Sequence, residues 1–504
     1  MNKIKDERNK RVIWNIISNI TYQAVVIVMG LLIPKLYLES FGSEVNGLVS
    51  TVKQVFSYLI LLEAGVGLAA QQALYKPVAL SDKASINAIL SATRQHYNKT
   101  GIIYALITGV FAVVYSLCVK TDIPQVTVFL IIIFYGIPST ISFFVQGKYR
   151  ILLEVEGKGY VLTNFATVMH LVNSILKVIL LLYTKNLILI QAMYCIEPIL
   201  QMLLVVHYIH KHFPWLNTEA EPDHKAISQK NSVLVHQISG VIFNNTDAIL
   251  ISVFCGFKAV SVYAIYSMFF QYIDTMITSV SSGLTFRMGQ LFQTDRNKFK
   301  QYFEVYEAVY IMSIFIIFTM AAAFLLPVIK LYTSGIEDIN YIDPVLLILF
   351  VIMKLLANSK IPCNEVMNFA GVFKDTKIHA VIEVIINLAV SIVAIQFWGI
   401  RGGIIGTVAA LMFRGNIMIY YANKKILGRS SLITYRRFFV NILLFASVIG
   451  FVGLNSGDAP NFMGVVCLAA LNAIWIAALF IIVNSITERK NIKLLLQFVR
   501  RVRT

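Results

Sequence analysis

Apolar residues along this chain run in stretches of about 20 or more, separated by short polar connections; that is the length a helix needs to cross a bilayer at 1.5 Å rise per residue. Such stretches fall at approximately 13–38, 45–74, 101–119, 125–147, 159–183, 187–206, 232–255, 260–286, 305–328, 344–366, 377–398, 402–423, 437–454 and 462–486. The pattern predicts an all-α polytopic membrane protein of about 14 transmembrane helices.

Some of these stretches carry polar stripes. In the first, Asn15, Asn19, Tyr22 and Gln23 recur at helical spacing and share a face. In the second, Lys53, Gln54, Ser57 and the segment Glu63-Ala-Gly-Val-Gly67 interrupt the apolar run. Lipid has no partner to offer such groups, so these faces are expected to meet protein or a water-filled cavity. The second half repeats the layout. His236, Gly240, Asn244 and Asp247 share a face of the seventh predicted helix, and Gln271, Asp274, Thr278, Ser281 and Thr285 line the eighth. The short glycine turn Phe41-Gly-Ser-Glu44 has its counterpart in Cys255-Gly-Phe-Lys258. Two six-helix lobes in parallel repeat are therefore predicted, enclosing a shared polar cavity, with two further C-terminal helices outside the repeat. The expected organisation is an N-lobe of helices 1–6 (residues 1–210), a cytoplasmic linker (211–231) and a C-lobe of helices 7–12 (232–425). Helices 13–14 (426–486) and a basic amphipathic tail (487–504) follow.

Composition agrees with the pattern. Of 504 residues 58% are hydrophobic and 14% charged, against about 25% charged for a soluble protein. The net charge of +17 is no nucleic-acid footprint, because most of the 43 lysines and arginines sit in alternate connections. The opposite connections contribute Lys120, Lys185, Lys258, Lys330 and Arg401, with Lys35 near a helix end. By the positive-inside rule both termini are cytoplasmic. The polar start and the length of the first apolar run argue against a cleaved signal peptide, so the first helix is expected to direct insertion. Five scattered cysteines read as small core residues. The connection 207–231 carries His207, His210, His212 and His224, read as a solvated lobe connector rather than a metal site.

Two sets of residues carry a closer likeness. Phe41-Gly-Ser-Glu-Val-Asn-Gly-Leu-Val-Ser-Thr-Val-Lys-Gln, Leu61-Leu-Glu-Ala-Gly-Val-Gly-Leu-Ala-Ala70 and Leu74-Tyr-Lys-Pro77 form the first; Asn245-Thr-Asp-Ala-Ile-Leu-Ile-Ser252 and Val262-Tyr-Ala264 form the second. They resemble the polysaccharide biosynthesis (Wzx-type) oligosaccharide flippases of the multidrug/oligosaccharidyl-lipid/polysaccharide exporter superfamily. The resemblance implies a rocking transporter that moves undecaprenyl-diphosphate-linked oligosaccharide repeat units across the bacterial plasma membrane by alternating access. The product would be a cell-surface polysaccharide, O-antigen or capsule. The two extra helices are similar to those of the lipid II flippase branch, where they help form a groove for the lipid tail. Polymerase and chain-length components of the same pathway are implied as partners beside the lipid-linked substrate and membrane lipids. No nucleic acid and no cofactor is expected.

An ionisable group at bilayer depth costs about 2.5–3.5 kcal/mol on insertion scales, so each needs a partner or a role. Lys53, about 12 Å inside its helix, and Arg287 are candidates to hold a diphosphate, with snorkelling to lipid phosphate as the plain alternative. Asn19, Gln23, Asn244 and Gln271 are candidate cavity contacts to diphosphate or sugar. Asp247, Asp274 and Glu63 are expected either to pair with those cations or to bind the proton or sodium that drives the cycle. Lys354 and Arg414 are expected in inter-helix ion pairs with Glu383 or Glu197, and Lys177 to snorkel. A drug/cation antiporter of the same fold competes with the flippase reading. A membrane polysaccharide polymerase or glycosyltransferase fits less well, because the outer connections hold no catalytic constellation of carboxylates or histidines. Phosphate-binding glycine loops are also lacking. No enzyme is expected.

Overall fold

The computed structural model describes residues 2–59, 66–145, 147–226, 245–370, 373–453 and 462–494. They are overwhelmingly helical and include no strand. Two compact units divide the chain, Met1–Asn245 and Thr246–Thr504.

Unit 1 begins with α1 (Asn2–Leu59), two predicted spans in one element, bent at Gly42 with φ 75° and ψ −179°. The turn expected over 39–44 is thus reduced to one glycine, in a backbone region essentially closed to side chains. Then come α2 (Val66–Ala79), α3 (Lys83–Cys118), α4 (Gln125–Phe144), α5 (Gly147–Val155), α6 (Gly159–Tyr183) and α7 (Leu187–His212). Asp82 caps α3 by accepting from the Ser85 N–H at 3.1 Å, and Asn186 caps α7 through the Leu189 N–H at 3.1 Å. Helix α6 lies along α1, α4 packs on α3, and α7 packs on α4 and α6.

The membrane setting reverses the usual amphipathic logic. On α3, Ile102, Leu106, Val110, Val113 and Leu117 face outward, whereas Tyr104, Thr108, Ala112 and Ser116 are buried. Helices in lipid gain nothing from hiding leucine, so close packing of small and polar residues turns them inward.

Unit 2 contains α8 (Asn245–Cys255), α9 (Phe257–Thr294), α10 (Arg296–Tyr332), α11 (Pro344–Ser359), α12 (Ile361–Ala370), α13 (Phe373–Trp398) and α14 (Ile400–Tyr420). A π-helical turn at Tyr421–Leu427 leads to α15 (Leu432–Val452) and α16 (Phe462–Thr487). Gly256, between α8 and α9, has φ 82° and ψ 174°, nearly the conformation of Gly42. The two glycines aligned from sequence make the same bend. Phe270 stacks on Phe350 at 5.5 Å in the core. Helices α15 and α16 both pack against α10.

Eleven described helices are long and apolar enough to cross a membrane, and α1 among them holds two predicted spans. The predicted seventh and eighth spans coincide with α8 and α9, the former described only over Asn245–Cys255. The protein has the all-α polytopic membrane fold expected of its sequence.

Two expectations do not hold, those for Lys177 and for two of the cysteines. After the sixth span α7 runs on to His212, and the connection beyond it, still largely exposed, bonds to α3 at two points. The Asp223 N–H donates to the Ala88 carbonyl at 3.1 Å and the Asn217 N–H to Asn87 Oδ1 at 3.0 Å. Lys177 does not snorkel. It is buried, with Nζ 3.5 Å from the Tyr194 ring centroid and 3.9 Å from Glu197. Cys118 and Cys467 are exposed rather than core, as an apolar thiol side chain can be where the surroundings are lipid.

Candidate functional site

The most isolated buried charge in unit 2 is Asp247 on α8, 5% exposed. Its position depends on how closely α13 and α14 approach. A Cβ on Gly402 would fall 2.3 Å from the Ala394 carbonyl, and one on Gly406 would fall 2.0 Å from Ser391 Oγ. This small-xxx-small pair lets the two backbones meet, as in other membrane helices. Asn387 and Ser391 of α13 are thereby brought against Thr407 and Gly403 of α14. Thr407 Oγ1 donates to Asp247 Oδ2 at 2.8 Å and accepts from Asn387 Nδ2 at 2.9 Å. Ser391 Oγ donates to the Gly403 carbonyl at 3.1 Å. Asp247 Oδ1 and Asn387 Oδ1 have no hydrogen-bond partner among the described residues. Buried acceptors are almost always satisfied, so a buried carboxylate with a free oxygen beside a free amide oxygen suits a proton or a small hard cation. No group of three His, Cys, Asp or Glu side chains able to hold a metal occurs among the described residues. One carboxylate among neutral oxygens suits a single positive charge better than a divalent ion.

Asp274 on α9 has another environment. It accepts from Lys354 Nζ at 2.6 Å and from Asn358 Nδ2 at 2.8 Å, both on α11. Lys354, expected to pair with Glu383 or Glu197, instead pairs with Asp274. Arg414 does meet Glu383, at 3.5 Å, and Lys360 reaches the same carboxylate at 3.2 Å. Glu197, in unit 1, accepts from Asn173 Nδ2 at 2.5 Å and lies 3.0 Å from His170 Nδ1.

The other sequence-chosen residues spread over both units. Asn19, Gln23 and Lys53 are exposed on α1, with Asn19 Oδ1 accepting from Thr163 Oγ1 of α6 at 3.3 Å. Gln271 is exposed on α9. Glu63, Asn244 and the Arg287 side chain lie outside the described residues. Asn387, Ser391 and Thr407 were missed by sequence reasoning. The spacing Gly402-x-x-x-Gly406 was the signal that could have pointed to a close helix pair there.

No protein-family model matches the sequence, and no curated protein matches it. The fold, in contrast, is similar to solved transporters. The lipid II flippase MurJ in an inward closed conformation superposes with a TM-score of 0.70 at 13% identity, over 95% of this chain and 100% of that one. An inward-facing multidrug resistance MATE family transporter of the MOP superfamily gives 0.62 at 14%, over 84% and 96%. A MOP superfamily transporter from Pyrococcus furiosus, whose reversed pocket polarity suggests a different function, gives 0.59 at 15%, over 84% and 97%. At these identities the likeness is one of fold. It is the fold of MOP superfamily transporters.

Proposed function

We propose that this chain, which has the MOP transporter fold, is a flippase for undecaprenyl-diphosphate-linked oligosaccharide repeat units. It would work in the bacterial plasma membrane with both termini cytoplasmic. Residues 1–210 and 232–425 would be the rocking lobes, and the product a surface polysaccharide such as O-antigen or capsule. The observation that carries the transporter reading is Asp247, buried against Asn387 and Thr407 with one oxygen that has no hydrogen-bond partner among the described residues. A group in that state changes its environment when a proton or cation binds, and that is what couples an ion gradient to a conformational change. Three features favour a lipid-linked cargo: the quoted family motifs, the exposed Lys53 on the polar stripe of α1, and the extent of the structural likeness. The flippase structure matches 95% of the chain and the MATE structures 84% to 88%. Lys53, Arg287, Asn19, Gln23, Asn244 and Gln271 are the proposed contacts to diphosphate and sugar. Asp247 is the proposed coupling group, with Asp274 and Glu63 as ion-pair candidates.

A drug/cation antiporter is the second reading, favoured by the MATE likeness and by the same Asp247 node. The two are separated in proteoliposomes. Inverted lipid-diphosphate oligosaccharide labelled on its sugar should become accessible to an external enzyme only when the protein is present. Drug–cation exchange with no such inversion would replace the flippase by the antiporter.

A further inference from the structure

One end of unit 1, which the lysine and arginine distribution predicts to be cytoplasmic, holds a buried lysine that makes no ion pair among the described residues. Lys148, the second residue of α5, is 7% exposed. Its ammonium makes no ion pair or hydrogen bond among the described residues, and its one close partner is the Tyr149 ring, 5.0 Å from centroid to Nζ. Helix α3 lies against the start of α5, since a Cβ on Gly147 would meet the ring of Tyr97, three residues beyond Arg94. The charged groups whose fields reach Lys148 are Arg94, itself a cation, and Glu219 from the segment after α7. Burial first, and then Arg94, push the Lys148 ammonium down to about 8, with Glu219 acting in the other direction.

Arg94 is met from outside. Its Nη1 donates to Glu219 Oε1 at 3.0 Å and to the Thr218 carbonyl at 3.4 Å. The Glu219 side chain is 77% exposed, so this is a pair that water and salt readily replace. The segment carrying Glu219 is anchored without it. Besides the backbone bonds to Ala88 and Asn87, Lys83 lies over the Trp215 ring at 5.4 Å and Lys158 over Phe213 at 4.5 Å. The carboxylate can therefore leave while its support stays. The first turn of α5, where Lys148 sits, adds the positive end of a helix dipole.

We propose that Lys148 and Arg94 form a site for a phosphate-bearing anion, in which the Glu219 carboxylate stands in for the ligand. A planar guanidinium and a compact ammonium are the pair that phosphate oxygens select, and a buried unpaired cation gains most from one. The chemistry is shared by a diphosphate lipid cargo and by an acidic phospholipid headgroup. Only the first source rests on the flippase reading.

The test uses purified full-length protein in phosphatidylcholine nanodiscs, titrated with inorganic pyrophosphate in a calorimeter. Lys148→Met and Arg94→Gln should each weaken binding by about tenfold or more. Glu219→Gln should strengthen it by at least about threefold, because the competing carboxylate is gone. Lys148→Arg should retain binding and lose less of it than the natural protein as pH rises through 8, since a guanidinium stays charged. Size-exclusion profiles report folding, and the gain in Glu219→Gln does not depend on a damaged variant. Unchanged affinity in both Lys148→Met and Arg94→Gln overturns the proposal, as does the absence of any gain in Glu219→Gln. Repeating the titration with phosphatidylglycerol in the disc assigns the source: competition supports a headgroup site, and none supports a site for the diphosphate. A chain that flips cargo while Lys148→Met binds pyrophosphate normally loses this site and keeps its flippase function.

Discussion

Among the buried carboxylates described in unit 2, Glu307 and Asp247 are treated in opposite ways. Glu307 on α10 is 1% exposed. Its Oε2 accepts from Arg437 and, at 2.5 Å, from Arg429 Nη2, while Oε1 accepts from Thr434 Oγ1 at 2.8 Å. Arg437 continues to Glu488 at 3.0 Å, and Glu488 also takes Arg436 and Asn491. Asn441 and Asn484 bridge α15 and α16 above it at 3.0 and 3.2 Å. Asp247 has the Thr407 hydroxyl on one oxygen, the Asn387 amide and the field of Lys354 nearby, a second oxygen with no hydrogen-bond partner, and no cation within ion-pair distance among the described residues. A buried charge with all its bonds made acts as a clamp, here tying the last two helices to α10. A buried charge left short of partners is the one that can still respond to an ion.

Breaking the clamp should have the largest effect. Glu307→Gln leaves two arginines facing a neutral amide in a dry setting and should cost about 3–5 kcal/mol, read as equilibrium unfolding in detergent mixtures. A loss below about 1 kcal/mol would make the network ornamental and dissolve the contrast. Gly406→Ala attacks the scaffold of the second carboxylate instead. The new methyl meets Ser391 Oγ and N at 2.0 and 2.6 Å, so α13 and α14 must separate, at about 1–3 kcal/mol. Any cation-induced rise in melting temperature should shrink with it. Asp247→Asn keeps the shape and removes the charge. It should leave stability within about 1 kcal/mol of the natural protein, or above it, while translocation driven by an ion gradient falls at least tenfold, about 1.4 kcal/mol. Normal gradient-driven transport by this variant would move the coupling role elsewhere. The smallest change is expected at Arg401, whose pair with Asp343 at 2.9 and 3.0 Å is partly exposed. Arg401→Gln should cost no more than about 1 kcal/mol and leave transport unchanged.

Much of this was readable in the chain itself. The apolar spans follow from periodicity within one helix, and the glycine turns at Gly42 and Gly256 from the short polar breaks between them. The rest of the polar face predicted for Asp247 (His236, Gly240 and Asn244) lies outside the described residues, as do the side chains of Ser281 and Thr285. The partners of the buried charges were not readable in this way. Asp274 finds Lys354 80 residues later, Thr407 lies 160 residues from Asp247, and Arg437 lies 130 from Glu307. Sequence spacing carries no information about such distances once helices pack. Lys177 shows the same limit: a lysine near a helix end can snorkel or turn inward, and the aromatic face of Tyr194 together with Glu197 decided the matter.

The sequence by itself determined that this is a polytopic helical membrane protein, because lipid forces backbone bonds inside each span and leaves the apolar runs visible. Only the tertiary structure decided which buried charges are neutralised and which are left open. That depends on helix separations of a few ångströms, set by residues such as Gly402 and Gly406 whose contribution is the absence of a side chain.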